Sequence, residues 1–165
     1  MDRLIDKHRS QIQSPAVLYV DVFPFRKTSK GIEFLVFRRL GDVPLMRTWQ
    51  PVCGKIEAGE SICAAFSRQV RKKTGQTPKR LINLDMVTTF YDSYYDAVLM
   101  VPAAAAELGE ETVIIDSRLH DEYRWCDVVA ACELLIFKRQ LETLREIAEA
   151  ESGAGFHPVF ELPVR

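Results

Sequence analysis

The stretch from Gly54 to Gly75 constrains the fold of this chain more than any other part of its sequence. A loop with two glycines, residues 54–61, leads directly into apolar residues at helical spacing over residues 62–74. Ser61 suits an N-cap and Gly75 suits the C-terminal end, so the sequence predicts a helix with defined limits. The unpaired N–H groups of such a loop and helix start favour an oxyanion, although an ordinary strand-turn-helix connection has the same pattern.

This helix has two arcs of different chemistry. At about 100° per residue, one arc is apolar and points to the core; its residues are Ile62, Cys63, Phe66 and Val70. Gln69, Lys72 and Lys73 are spaced i, i+3 and i+4 and form the adjoining arc. We expect this polar arc to lie beside the core and to face a groove or solvent.

The surrounding segments alternate between strand-like and helix-like patterns. Strands are predicted over residues 16–25, 32–39, 49–52, 81–90, 97–101, 113–115 and 123–126, and helices over residues 128–135 and 137–151. The first two strands are joined by a short turn, which predicts an antiparallel hairpin. Pro51 cannot donate a hydrogen bond within a sheet, so its strand belongs at an edge or an end. Together these elements predict an α+β fold with a mixed sheet and helices around it.

Composition supports one domain over residues 1–165, with its core at about residues 16–151 between a polar N-terminal lead-in and a C-terminal tail. Of its 165 residues 47% are hydrophobic, which argues against intrinsic disorder. The 22 Lys and Arg residues nearly balance 23 Asp and Glu residues, which argues against a duplex nucleic acid partner. We find no apolar run long enough for a membrane span, no signal-peptide pattern and no zinc motif among the four cysteines. The sequence therefore predicts a cytoplasmic protein with reduced, mostly buried thiols.

Residues 54–76, GKIEAGESICAAFSRQVRKKTGQ, resemble the signature of the MutT/Nudix hydrolase family, G-x5-E-x7-R-E-U-x-E-E-x-G-U, without a gap. The matching residues are Gly54, Glu60, Arg68, Val70 and Gly75. The preceding WQPV, residues 49–52, is similar to the lead-in of many members. The resemblance implies the Nudix fold, an α/β/α sandwich with a mixed sheet.

The chain departs from this signature at the residues that hold metal in the family. Members use a trio of glutamates to hold Mg2+ against a pyrophosphate, and here Gln69, Lys72 and Lys73 stand in those places. The local charge differs by about five units, and a lysine about 5 Å from a divalent cation costs several kcal/mol at an effective dielectric near 20. The resemblance therefore implies that Mg2+ is doubtful as a cofactor.

A second family segment, at residues 119–125, also lacks a glutamate that the family uses. Residues 119–125 resemble E-H-x-x-Y-x-W, which is typical of dihydroneopterin triphosphate pyrophosphatase-like members, and His120, Tyr123 and Trp125 match it. Leu119 stands where those members have a glutamate that serves as base or metal ligand. Gln69, Lys72, Lys73 and Leu119 are thus the degenerate catalytic positions.

The resemblance also assigns roles to other residues. Glu57 and Glu60 are the remaining weak candidates for metal binding, and the structural loop is braced by Gly54, Glu60, Arg68 and Gly75. The candidates for ligand contact are Arg38, Arg39, Gly54, Lys55, Lys72, Lys73 and Tyr123. Lys72 and Lys73 also have a plain interpretation as a solvated helix face near the helix C-terminus.

Three hypotheses for function follow from these residues. The first is a nucleotide-binding or pyrophosphate-binding protein that is impaired in Mg2+-dependent hydrolysis. The second is an active Nudix pyrophosphatase that cleaves nucleoside triphosphates or nucleoside diphosphate derivatives through a relocated metal site. The third is an interaction module without catalysis. The expected partner is a small molecule rather than a membrane, and the resemblance implies a homodimer.

Overall fold

The computed structural model describes residues 15–41, 45–109 and 112–164. The strands are β1 (Tyr19–Thr28), β2 (Gly31–Arg39), β3 (Trp49–Gln50), β4 (Val52–Lys55), β5 (Arg80–Asp92), β6 (Ala97–Glu107), β7 (His120–Cys126) and β8 (Glu161–Leu162). The helices are α1 (Ile62–Thr74), α2 (Val128–Leu134) and α3 (Lys138–Ser152), with a 3-10 turn at Pro158–Phe160. The N-terminal lead-in that the sequence predicts lies outside the described residues.

The strands form one mixed sheet around β1. Its path is β3-β2-β1-β6-β5-β8, and β4 also pairs with β1 while β7 pairs with β2. β1 is antiparallel to β2 and β4 and parallel to β6. Since β2 pairs with the C-terminal half of β1 and β4 pairs with its N-terminal half, the strand before the glycine loop is fixed against the centre of the sheet.

Helices cover both faces of this sheet. One core lies between the sheet and α1, and it contains Val20, Val22, Phe37, Phe66 and Val70 among others. The second core lies between the sheet and the pair α2 and α3, and it contains Phe23, Phe25, Ala131, Leu144 and Ile147 among others. Alternate residues of β1 point to opposite faces, so one apolar strand supplies both cores. The predicted α+β fold with a mixed sheet between helices is confirmed.

The structure differs from the sequence prediction in three segments. The strand predicted over residues 113–115 is wrong: this segment is irregular, and Ile114 donates its backbone N–H to the carbonyl of Thr74 at the end of α1. The strand predicted to stop at residue 101 continues to Glu107 as β6, past Pro102. The two-residue β8 is also new, because its pairing with β5 depends on chain reversal far along the sequence.

Two smaller features bear on the sequence predictions. The four cysteines are free and partly buried, where the sequence predicts mostly buried thiols. Within the described ranges, no helix has both the length and the apolar character that crossing a bilayer requires.

Candidate functional site

The loop between β4 and α1 is closed by a network around Arg68. The guanidinium donates from Nε to Glu60 Oε1 at 2.5 Å and from Nη2 to Glu60 Oε2 at 2.7 Å, a two-pronged contact. Nη2 also donates to the Lys55 carbonyl at 2.8 Å. Glu60 Oε2 in turn accepts the Glu57 backbone N–H at 2.9 Å. The hydrogen bonds from Arg68 hold the pKa of Glu60 at about 2, so this carboxylate is ionised and fully engaged.

The start and end of α1 follow from local chemistry. Ser61 Oγ accepts the Ala64 N–H at 3.2 Å and caps the helix. Gly75 has a φ of 73° and its N–H bonds to the Arg71 carbonyl, which ends the helix in the left-handed conformation. The helix therefore begins and ends where the sequence predicts.

Gln69 joins α1 to the end of β4. Its Nε2 donates to the Lys55 carbonyl at 2.8 Å, and the side chain is only 4% exposed. The amide lies directly against Gly54, where an added Cβ would be 2.0 Å from Gln69 Cδ. Gly54 is therefore required for close approach of this side chain, and the Gln69 amide joins the loop to the helix by a hydrogen bond.

Lys73 lies one turn further along α1 and is 4% exposed. Burial lowers the pKa of its ammonium group, and the nearby charges of Arg39 and Lys72 lower it further, opposed by Cys53 and Asp116. Within the described ranges, Lys73 makes no salt bridge. The predicted polar arc of α1 is thus divided, since Lys72 is exposed while Gln69 and Lys73 are buried.

A chain of hydrogen bonds lies beside Lys73. Arg39 Nη1 donates to Gln50 Oε1 at 3.3 Å, which leaves the Gln50 amide nitrogen as the donor to His120 Nε2 at 3.2 Å. His120 is then neutral with its proton on Nδ1. Burial, Lys73 and Arg39 lower the pKa of His120 to about 4. His120 Nδ1 has no hydrogen-bond partner in the described part of the chain.

The two neighbouring arginines of β2 have different surroundings. Arg38 pairs with Asp121 (Nε to Oδ1, 2.8 Å) and with Glu122 (Nη1 to Oε2, 2.9 Å). Its guanidinium carbon is 5.9 Å from the ring centroid of Trp49. The guanidinium carbon of Arg124 is 4.8 Å from the same ring centroid. These contacts occupy Arg38 in packing between β2, β3 and β7, whereas Arg39 is close enough to Lys73 to affect its pKa.

The other site residues predicted from the sequence lie around this centre. Lys55 Nζ is 5.8 Å from the ring of Tyr19 and 5.9 Å from the ring of Tyr95. Tyr123 packs on the α1 side of the sheet as part of the core. Leu119 is a partly buried residue whose carbonyl accepts the Leu40 N–H at 3.0 Å.

The sequence does not indicate three polar residues that the structure brings together on the sheet face opposite α1. They are Asp21, Cys53 and Gln140. Asp21 of β1 lies opposite Cys53 of β4 in the sheet register and also bonds to Gln140 of α3. Asp21 is the only charged residue in the apolar run over residues 16–25. A single carboxylate in an otherwise apolar strand was the sequence signal that could have indicated a buried polar contact.

Comparison with known proteins gives a family and several solved structures. The family model described as NUDIX domain matches residues 15–147. Among solved structures, a protein described as a NUDIX hydrolase from Listeria monocytogenes is 22% identical, with a TM-score of 0.69 over 84% of this chain and 97% of that chain. The dihydroneopterin triphosphate pyrophosphohydrolase of E. coli is 19% identical, with a TM-score of 0.64 over 81% of this chain and 99% of that chain. These likenesses establish the fold.

Two further relatives differ in kind. The NUDIX domain of Shewanella oneidensis NrtR, solved with ADP ribose, is 18% identical, with a TM-score of 0.66 over 86% of this chain and 96% of that chain. The octanoyltransferase of Myxococcus xanthus is 32% identical over 108 residues, which are 59% of this chain and 28% of that protein. The chain thus spans less than a third of the length of this curated relative.

Proposed function

Because the chain belongs to the Nudix family, we propose that it binds a nucleotide or another pyrophosphate-containing ligand and is impaired in Mg2+-dependent hydrolysis. The observation that carries this proposal is the buried residue Lys73, which stands in the place of a family glutamate and forms no salt bridge in the part of the chain that the structure describes. A buried charge that no ion pair neutralises is costly, so an anion beside Lys73 would stabilise the protein. Arg39 and exposed Lys72 add positive charge around the same point.

The donors that surround this point are a poor set for a divalent cation. Mg2+ requires several oxygen ligands in octahedral geometry. Both oxygens of Glu60 already accept hydrogen bonds, from Arg68 and from the Glu57 N–H. The Glu57 carboxylate is 69% exposed and lies 3.3 Å from Arg68 Nη1. In the ranges that the structure describes, no three His, Cys, Asp or Glu side chains are grouped as metal ligands would be.

Gln69 supports the same proposal. A glutamate here would face the Lys55 carbonyl with an acceptor, and a metal ion would have to mediate between them. The amide instead donates directly to that carbonyl. The loop therefore keeps its position against the helix without a cation, while lysine ammonium groups neutralise phosphate but do not activate water.

Nucleotide binding by a relative supports the choice of ligand class. The NUDIX domain of NrtR was solved with ADP ribose, a nucleoside diphosphate derivative. A ligand of that class carries the pyrophosphate anion that Lys73 and Arg39 would neutralise. We therefore propose a nucleoside diphosphate or a derivative of one as the ligand.

The test is isothermal titration and thermal-shift measurement with ADP and with inorganic pyrophosphate, each with Mg2+ and with a chelator. We expect both ligands to bind in the chelator, and we expect no release of phosphate or pyrophosphate from ADP or from nucleoside triphosphates. The Lys73→Met variant should lose most of this affinity, while Lys79→Met, a change at an exposed lysine away from the site, should keep it.

Two other results would support the other hypotheses. Turnover that requires Mg2+ and is lost in Glu60→Gln would indicate an active hydrolase with a relocated metal site. The absence of any thermal shift with the whole nucleotide panel would indicate an interaction module instead. Either result contradicts the present proposal.

A further inference from the structure

The outer edge of β5 has a strand partner over only a short part of its length. In the sheet, β5 lies between β6 and the two-residue β8, which pairs with Leu81 and Ile82. Pairing with β6 continues to the end of β5, where Asp92 lies opposite Ala97. In the part of the chain that the structure describes, residues 87–90 therefore pair with a strand on one side and with none on the other.

A change of register separates the covered part of β5 from this open part. The pairing with β6 shifts between Asn83 and Val87. Within the shift, Asp85 has a φ of 52° and its N–H donates to Asn83 Oδ1 at 3.1 Å. Because such a bulge bends the strand and disrupts the ladder, the pairing with β8 ends before the bulge and a new edge begins after it.

The residues of this open edge are suited to pairing with another strand. The sequence Val-Thr-Thr-Phe over residues 87–90 contains no charge, proline or glycine. Natural edge strands commonly carry a charge or a proline that prevents association, and β-branched and aromatic residues favour strands. Val87 and Phe90 are 49% and 42% exposed. The open part of β5 therefore has the features of a pairing surface.

A groove with a cation at its wall lies along this edge. It is lined by Met86, Val87, Thr88, Thr89 and Arg139. Helix α3 is fixed against the strand, because Thr143 Oγ1 donates to Met86 Sδ at 3.2 Å. The Arg139 side chain is 71% exposed, and its Nη1 is 3.2 Å from Glu142 Oε2. A strand that pairs with β5 would therefore lie beside a largely solvated guanidinium group.

A second copy of β5 fits this edge in one antiparallel register. Thr89 is the midpoint of residues 86–92, the regular segment between the register shift and the end of the strand. With Thr89 of both copies at a two-fold axis, Met86 of one copy lies opposite Asp92 of the other. Alternate residues share a face, so Asp92 lies on the face where Met86 packs under α3. Asp92 of each copy then lies beside Arg139 of the other, and symmetry forms this pair twice.

We propose that a second copy of this chain binds along the open edge of β5, so that the two sheets join antiparallel into one. Main-chain hydrogen bonds between the strands supply affinity, and the pairs of Arg139 with Asp92 set the register. This inference is independent of the ligand of the proposed function. A single strand pair gives a small interface, so we expect a dissociation constant on the order of 1–100 µM.

The experiment is sedimentation equilibrium of the full chain over about 5–300 µM, a range that brackets the expected dissociation constant. Thr89→Lys places two ammonium groups against each other at the two-fold axis, so it should raise the dissociation constant about tenfold or more. Thr77→Lys, the same change at an exposed threonine outside β5, should leave it within about twofold. Both threonines are exposed, so the urea midpoints of both variants should stay close to that of the wild type.

Arg139→Glu tests the register. It places a carboxylate beside Asp92 of the other copy, so the dissociation constant should rise about tenfold. Lys138→Glu makes the same change of charge at a neighbouring side chain that is 86% exposed, and it should change the dissociation constant by less than about threefold. Asp92→Asn keeps the acceptor for the backbone N–H groups of the following turn, so adding it to Arg139→Glu should restore most of the lost affinity.

Three results would overturn the proposal. The first is a wild-type chain that stays monomeric at about 300 µM, well above the expected dissociation constant. The second is a dimer that Thr89→Lys leaves intact, because its interface would then lie elsewhere. The third is equal weakening by Arg139→Glu and Lys138→Glu, which would mean that Arg139 has no specific partner in the second copy. If Thr89→Lys lowers the urea midpoint, Arg139→Glu and its control decide the question.

Discussion

Replacing Lys73 by methionine tests the energetic basis of the proposed anion site. The residue Lys73 is 4% exposed and forms no salt bridge in the described part of the chain, and burial lowers the pKa of its ammonium group. Each unit of pKa depression corresponds to about 1.4 kcal/mol of disfavour for the charged form in the fold. Methionine keeps the unbranched shape without the charge.

The magnitude follows from this cost. Replacement of buried ion pairs by apolar side chains of similar volume is often neutral or stabilises proteins by about 1–4 kcal/mol. Because Lys73 forms no salt bridge in the described part of the chain, its replacement gives up no ion-pair attraction, and we expect Lys73→Met to gain about 1–3 kcal/mol. For a chain of this size, 2 kcal/mol corresponds to about 4–8 °C in Tm. The same variant should lose ligand affinity, because substitutions that stabilise a destabilised functional site commonly reduce its function.

The pH dependence of this gain has a defined sign. The Lys73 pKa in the fold lies below its unfolded value of 10.5. Between these two values the unfolded chain binds more protons, so the stability of the wild type rises with pH across this window. The advantage of Lys73→Met should therefore be largest below the folded pKa and should disappear as the pH approaches 10.5.

The assay is urea unfolding at several pH values, with Lys72→Met as the matched control. Lys72 is the exposed neighbour on the same helix, so its substitution should change stability by less than about 0.5 kcal/mol. A Lys73→Met variant that is less stable than the wild type, while Lys72→Met is neutral, would refute the reasoning, because it would mean that the ammonium group is well compensated in the free protein.

Three other predictions concern the loop and the histidine. Glu60→Gln should cost about 1–2 kcal/mol in urea unfolding, because Arg68 loses an ionised partner. The difference from the wild type should diminish as pH falls from 4.5 to about 2, where the carboxylate of Glu60 takes up its proton. Gly54→Ala should cost about 1–3 kcal/mol, since the new methyl group overlaps Gln69, and the thermal midpoint measures this. NMR of His120 should show a neutral ring from about pH 8 to about pH 5.5, with stability falling as pH drops from 6.5 to about 4.

These predictions have controls within the chain. Gly41→Ala places a methyl group 3.6 Å from Arg47, an ordinary contact, so it should be neutral. Gln69→Ala combined with Gly54→Ala should cost less than the sum of the single changes, because the shorter side chain removes the overlap. Additive costs would contradict the close approach of Gln69, and a His120 that titrates near its usual pKa would contradict its buried neutral state.

Local sequence patterns predicted the elements that depend on nearby residues. The helix over Ile62–Thr74 begins after a capping serine and ends at a glycine, and both signals act within one turn. The hairpin of β1 and β2 follows from two strands joined by a short turn. The irregular segment over residues 113–115 was mispredicted because its β-branched residues favour a strand, while contact with the end of α1 decides its conformation.

The sequence by itself determined that Gln69, Lys72 and Lys73 replace the glutamates of the family signature, because that statement requires only residue type and spacing. Tertiary structure decided how each replacement acts: Gln69 donates to a strand carbonyl, Lys73 is buried, and Lys72 remains in solvent. It also placed Asp21 beside Gln140, residues that no local pattern connects. Helical periodicity fixes the angle of a side chain around its helix, but burial and charge depend on what the rest of the chain packs against that side.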